Sequence, residues 1–463
     1  MSTELKVLKS APPNFVSTRN PCKLCAPLGA SLVMRGIEGG VPFLHGSQGC
    51  ATYMRRYIIS HFREPMDIAA SGFNEASTIF GGGPNLMQGL SNVTAQYKPE
   101  LIGIATTCLT ETIGEDVASI LHEYRRSRED VPTPELVHVS TPSYSGTHLD
   151  GFHAAVRATV AQLAEPPASP SCDVGATVNL FPGMLSPADL RHLKEIVADF
   201  ELPLTLFPDY SETLDSPVLE HYAKIPAGGT PIAQLRAVSS SQASIEFGRA
   251  LRTKATAASF LQERFGVTAH RIGVPIGVRE TDAFFSALAA ISGHDTPEAY
   301  KLQRGRLLDS YVDGHKYAFG KRALVFGNED MVVGLASLLS EIGMVPVLCA
   351  AGGKSAGFAS SVAEVTTDCL EPVVARDGLD FMTMGEIARD LKLDFLIGSS
   401  KGAALSRELG IPLIRVDFPI HDRIGGHRIL HVGYRGAQQL FDLVVNTILE
   451  RKQDSSPVGY SYM

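Results

Sequence analysis

The sequence predicts an α/β protein built from three doubly wound parallel sheets, and three observations carry that prediction. Short runs rich in Val, Ile and Leu recur from about residue 40 to the end, and helical stretches separate them. Most runs stop on Gly, Ser, Thr or Pro. Continuous apolar runs suit strands covered on both faces, which is the condition of a parallel sheet with helices above and below. Strand and helix in alternation is the βαβ pattern of Rossmann-like domains.

In chain order the strand runs are LIGIATT (101–107), ELVHVST (135–141), ATVNLFPG (176–183), ALVFGNE (323–329), PVLCAAGG (346–353), LDFLIGSS (393–400) and PLIRVDFP (412–419). SPADLRHLKEIVADF (186–200) shows the helical pattern between them. Ser186 is placed to cap it, Pro187 fits its first turn, and apolar residues recur at helical spacing. A chain of 463 residues suits about three domains. AEPPASPSCD (164–173) is a Pro/Ser-rich joint, and the helical segment EAYKLQRGRLLDSYVDGH leads into a fresh strand near 305–322. The expected domains are 1–168, 169–318 and 319–463.

Charged residues make up 19% of the chain and the net charge is −8, so there is no basic surface for nucleic acid. No run of about 18 apolar residues exists to span a membrane, and 1–15 lacks the apolar core of a signal peptide. The expectation is a cytoplasmic protein. Its seven cysteines then read as metal ligands, redox thiols or small core residues in preference to a disulfide framework.

Cys25 in KLCAPLGA, Cys50 in LHGSQGC and Cys108 in ATTCLTETIGED each adjoin an apolar run and lie in Gly- or Thr-flanked sequence. That context places them at the mouth of an α/β layer, where open sheets bind ligands. Thiolates from loops that approach closely hold iron–sulfur clusters. The competing reading is three small buried residues, since free Cys is often buried. Three ligands leave a four-thiolate cluster incomplete, so a partner chain or another side chain is implied. Cys22 and Cys25 form a CxxC, which reads as a redox pair or half of a zinc site, but no second CxxC accompanies it. Cys172, Cys349 and Cys369 read as structural.

Ser143, in STPSYSGTH, reads as a turn residue or as a hydroxyl that ligates a strongly Lewis-acidic metal. The basic, aromatic stretch YMRRYIISHFREP (53–65) reads as a helix up to Pro65. It is either a solvated face or a face for a partner beside Cys50. Gly81–Gly83 reads as a flexible loop, matching neither nucleotide-binding glycine motif. His421, Asp422, His427 and His431 read as a surface loop in preference to a metal site.

Taken together, KLCAPLGA, PFLHGSQGCATYMRRYIISHFREP, ATTCLTETIGED, STPSYSGTHLDGF, IGVRETDAF, LIGSSKG and IRVDFPIHDR resemble the β-type subunit of the nitrogenase component 1 family. The resemblance covers nearly the whole chain. It implies three α/β domains and pairing with a homologous α-type chain in an α2β2 heterotetramer. It also implies an eight-iron P-cluster (8Fe-7S) shared at the αβ interface, a 4Fe-4S cluster being the simpler alternative. Three β-side cysteines of that cluster match Cys25, Cys50 and Cys108, and a serine that ligates the oxidised cluster matches Ser143. The intervals of 25, 58 and 35 positions fit the pattern. The active-site cofactor of such complexes is bound by the α-type chain, and no counterpart of its ligands is expected here, so no catalytic residue is assigned. Electrons would come from a separate ATP-dependent iron protein.

The resemblance reaches several branches: nitrogenases that reduce dinitrogen, methylthio-alkane reductases that cleave carbon–sulfur bonds, and the cofactor-assembly scaffold. Ala26 stands where many nitrogenase β chains have Gln, and the long N-terminal extension of some is missing. Retention of all three cysteines argues against the scaffold. The chlorophyll-pathway reductases rank lower, having four-iron clusters and different motifs.

Overall fold

The computed structural model describes residues 21–167, 175–218 and 220–457. These residues form three parallel sheets flanked by helices. The first holds β1 (Gly40–His45), β2 (Ala69–Ala70), β3 (Leu101–Thr106) and β4 (Glu135–Val139), in the order β2-β1-β3-β4. The second holds β5 (Gly175–Phe181), β6 (Leu204–Leu206), β7 (Ser241–Phe247) and β8 (Thr268–Ile272), in the order β6-β5-β7-β8. The third holds β9 (Arg322–Gly327), β10 (Val345–Ala351), β11 (Val374–Arg376), β12 (Phe395–Gly398) and β13 (Leu413–Arg415), in the order β11-β10-β9-β12-β13.

Each sheet starts near its middle, runs one way and then resumes on the other side. A crevice therefore opens at the carboxyl ends of β1 and β3, of β5 and β7, and of β9 and β12. The strand runs are apolar throughout because both faces are covered. In the first sheet, Val41, Phe43, Ile102 and Ile104 pack under Leu86, Leu90 and Leu121 of the outer helices. Leu44, Ala105 and Val137 face the core shared by all three sheets. In the third, Leu324, Phe326 and Leu348 pack on one side, and Val325 and Cys349 on the other. Burial of this kind contributes about 1.5–3 kcal/mol for each large side chain.

The helix read at 186–200 runs Pro187–Asp199. Ser186 caps it by accepting from the Asp189 N–H, and Asp189 returns the contact to the Ser186 N–H. The long segment before the third sheet is the helix Glu298–Ala318. Among the described residues no helix is long and apolar enough to cross a membrane. Cys172 and most of the Pro/Ser-rich joint lie outside the described residues.

Two expectations need correction. The histidine cluster is only partly a surface loop. His421 is exposed and Asp422 pairs with Arg415 at 2.6 Å, but His427 and His431 are buried. His431 Nδ1 meets Asp189 Oδ2 at 2.7 Å, and His427 Nε2 meets Asp215 Oδ1 at 3.2 Å. Both histidines fasten the third sheet to the second. The glycines at 81–83 are packed in place. A Cβ on Gly82 would come within 2.1 Å of the Phe73 ring, and the Gly82 N–H donates to Glu115 Oε1.

Candidate metal centre

Three sequence-predicted site residues leave the carboxyl ends of the first sheet, two of them at its switch point. β1 ends at His45, Gly46 turns with φ +149°, and Ser47 caps the helix Gln48–Phe62, accepting from the Gly49 N–H at 3.3 Å. Cys50 sits in the first turn of that helix, its N–H donating to Ser47 O at 3.1 Å. β3 ends at Thr106, Thr107 caps, and Cys108 opens the helix Cys108–Ile113. β4 ends at Val139 and delivers Ser143 four residues later. Cys25 arrives from outside the sheet as the cap of the helix Ala26–Arg35. All three thiols thus stand at helix starts, where the positive end of the peptide dipoles favours a thiolate.

Ser143 joins two of the three loops. Its backbone N–H donates to Cys108 Sγ at 3.2 Å, and its Oγ accepts from the Ala26 N–H, next to Cys25, at 3.1 Å. The Cys50 thiol is pushed up by its partial burial and then by the charges of Cys25 and Cys108, so the three thiols are electrostatic neighbours. All three are half-buried. The Tyr53 phenol, one turn beyond Cys50, is also pushed up, by burial and then by Cys25.

The surrounding bonds fix these loops. Leu24 is clamped by His148, whose Nδ1 accepts from the Leu24 N–H at 3.3 Å and whose N–H donates to Leu24 O at 2.9 Å. The helices Ala26–Arg35 and His148–Leu163 touch backbone to backbone. A Cβ on Gly29 would lie 1.8 Å from His148 O, and one on Gly151 2.0 Å from Ala26 O. The Thr107 N–H donates to His45 O at 3.1 Å, and the Thr110 hydroxyl donates to the same carbonyl. Glu111 accepts from Ser140 Oγ at 2.6 Å and from the Thr106 hydroxyl, tying β3 to β4. Glu115 Oε2 meets His45 Nε2 at 3.2 Å. Burial pushes the His45 imidazole down against the pull of Glu115, and its Nδ1 meets Ser71 Oγ at 3.0 Å. Glu111 and Glu115 stand inside the TTC…IGED motif, yet a local reading misses their task, because beyond Thr106 their partners are His45 of β1, Ser140 just past β4 and Gly82.

The structure separates the CxxC. Cys22 is fully buried with its thiol pushed far up by desolvation, while Cys25 faces the site. Cys349 is a buried core residue on β10, and Cys369 is half-buried in the connection between the helix Phe358–Val365 and β11. Among the described residues no three His, Cys, Asp or Glu groups form a single-ion site. Three soft thiols spread over three loops, with one hydroxyl between two of them, suit a polynuclear iron–sulfur group in preference to one zinc or calcium ion.

One α/β chain thus presents three half-buried thiols around a sheet's switch point. Residues 25–449 match the model of the Nitrogenase component 1 type Oxidoreductase family, and the chain belongs to that family. It is 33% identical over 460 residues to the nitrogenase molybdenum-iron protein beta chain of Methanococcus maripaludis, covering 97% of each chain. The beta chain of Methanothermobacter thermautotrophicus is 35% identical, over 93% of this chain and 94% of its own. That of Clostridium pasteurianum is 32% identical over 93% of both. The solved structure of nitrogenase Cp1 at pH 6.5 superposes with a TM-score of 0.92 at 30% identity, covering 98% of both chains.

Proposed function

We propose that this chain is the β-type subunit of a nitrogenase-type reductase, with Cys25, Cys50 and Cys108 as its thiolate ligands to an interfacial P-type iron–sulfur cluster. The mutual proximity of these three cysteines, with Ser143 joining the loops of Cys25 and Cys108, carries the reading. Bound there, the cluster supplies one-electron transfer between an ATP-dependent iron protein and a cofactor held by the α-type subunit. The chain's own work is to bind and position. Helix starts favour the thiolates, the Ser143 N–H donates to the Cys108 sulfur, and the half-buried setting tunes its electrostatics. The Ser143 hydroxyl would become a ligand once oxidation raises the metal's acidity. The open thiol face calls for the α-type partner, in an α2β2 assembly.

The reading covers reduction of dinitrogen or of a methylthio-alkane. The relatives' designation as molybdenum-iron beta chains favours dinitrogen. Ammonia formed from dinitrogen, against methanethiol released from a methylthio-alkane, separates the two.

The test is iron content and EPR of the complex purified anaerobically with its native partner. Cys50→Ala should lose most of the cluster iron, and Cys369→Ala should keep it. Equal loss in both variants, or in neither, sinks the assignment.

A further inference from the structure

Lys401 lies just past β12, in the turn Ser400–Gly402 of the third sheet, yet its side chain reaches the cysteine site. Its Nζ donates to Pro21 O at 3.2 Å and stands 5.6 Å from the Tyr57 ring centroid. Pro21 opens the segment that ends in Cys25, and Tyr57 lies two turns beyond Cys50 on the same helix. The ammonium is therefore pinned between the elements that carry two of the three thiols. Among the described residues no carboxylate pairs with it. Desolvation lowers its proton affinity, and Cys22 and Cys25 act against it.

A partly buried cation without an acid is unfavourable unless another negative group faces it. Cys22 cannot serve, because its buried thiol stays protonated. Cys25 can, since a metal-bound cysteine is a thiolate.

We propose that Lys401 is a positioning residue for the cluster, its fixed positive charge stabilising the Cys25 thiolate and the reduced, more negative state of the bound iron–sulfur group. The proposal rests on the ligand reading above. A partly buried cation beside the thiolates acts through a medium of low effective dielectric, so its removal is felt at the metal. It makes reduction harder, and the midpoint potential moves in the negative direction.

Three variants of the assembled complex separate charge from tether. Lys401→Met removes both, Lys401→Gln keeps a donor for Pro21 O without the charge, and Lys401→Arg keeps the charge. An EPR-monitored redox titration should show a negative shift in the Met and Gln variants and a wild-type midpoint in the Arg variant, with iron content unchanged in all three. A shift in the Met variant alone makes Lys401 a tether and overturns the proposal, as does a Gln variant that titrates like wild type or an Arg variant that fails as the Gln variant does. Failure of the underlying reading shows separately, as cluster iron that survives Cys50→Ala, and that result overturns both.

Discussion

Ser143 donates its backbone N–H to the sulfur of Cys108 at 3.2 Å, a contact that does not depend on the serine side chain. The hydroxyl has a different task, accepting from the first N–H of the helix after Cys25. Substitution therefore separates the two functions. Ser143→Ala should leave the reduced cluster assembled, cost about 0.5–2 kcal/mol of stability as loss of a helix cap does, and change the oxidised-state EPR. Calorimetry and a redox titration check this. An unchanged oxidised spectrum and midpoint would reduce Ser143 to a turn residue.

Asp189→Asn should destabilise the chain by about 3–5 kcal/mol, because it leaves the buried His431 without its charge partner. Asp189 also accepts from the backbone N–H groups of Ser186, His431 and Val432. The His431 pKa is raised, through Asp189 acting against burial, and the Asp189 pKa is lowered, through His431 acting against burial. The imidazolium's contribution is complete below about pH 6.5 and is lost as pH rises through its elevated folded value. The carboxylate's is complete above about pH 4 and is lost as pH falls through its depressed one. The variant's deficit should be greatest between those limits and shrink toward pH 9. A Tm difference that stays flat from pH 6 to 9 would contradict this.

Asp330→Asn should stabilise the chain at pH 8. Burial pushes Asp330 up to about 6; its Oδ1 accepts from the Ala250 N–H at 2.9 Å, and its Oδ2 has no partner. Raised carboxyl groups cost nothing well below about pH 4, where folded and unfolded chains both hold the proton, and stability falls as pH rises from about 4 to about 6. The full penalty is about 2–3 kcal/mol by the size of that shift. Asp417, also near 6, and Glu329 and Glu341, both near 7, add slopes of the same sign. Thermal unfolding at pH 5 and pH 8 should show the variant gaining at both and more at the higher pH.

The helix Gln48–Phe62 should become protected from hydrogen exchange when the α-type partner binds. It buries Ala51, Met54, Ile58, His61 and Phe62 and presents Thr52, Tyr53, Arg55 and Arg56 outward. Tyr144, beside the site, is 66% exposed. Aromatic and Arg side chains are favoured in interface cores. The chain expressed alone should aggregate or lack its cluster. A stable monomer with a complete cluster in analytical ultracentrifugation, this helix exchanging freely, would refute both the interface and the relay role.

The sheets covered on both faces were legible because burial makes their strands continuous apolar runs. β1 and β7 were not, since GVPFLH is interrupted by Gly40 and Pro42 and SQASIEF carries Ser241, Ser244 and Glu246 into the core. Asn179 bonds both of those serines from β5, a partner some 60 residues away that no local window contains. β8 is an edge strand of intermediate burial, and β2, β6 and β11 are only two or three residues long. The cysteine triad was legible from its flanking loops. The residues that hold those loops were not, because Glu115 and Lys401 act on segments 70 and 380 positions away.

Gly46 has no side chain, and the space one would occupy is filled by Thr107, whose Oγ1 lies 1.9 Å from where a Cβ would stand. The loops that carry Cys50 and Cys108 are therefore mechanically one piece. A lineage could not exchange either loop alone; any functional chimera has to inherit the two as a matched pair, even though some 60 residues separate them in the gene.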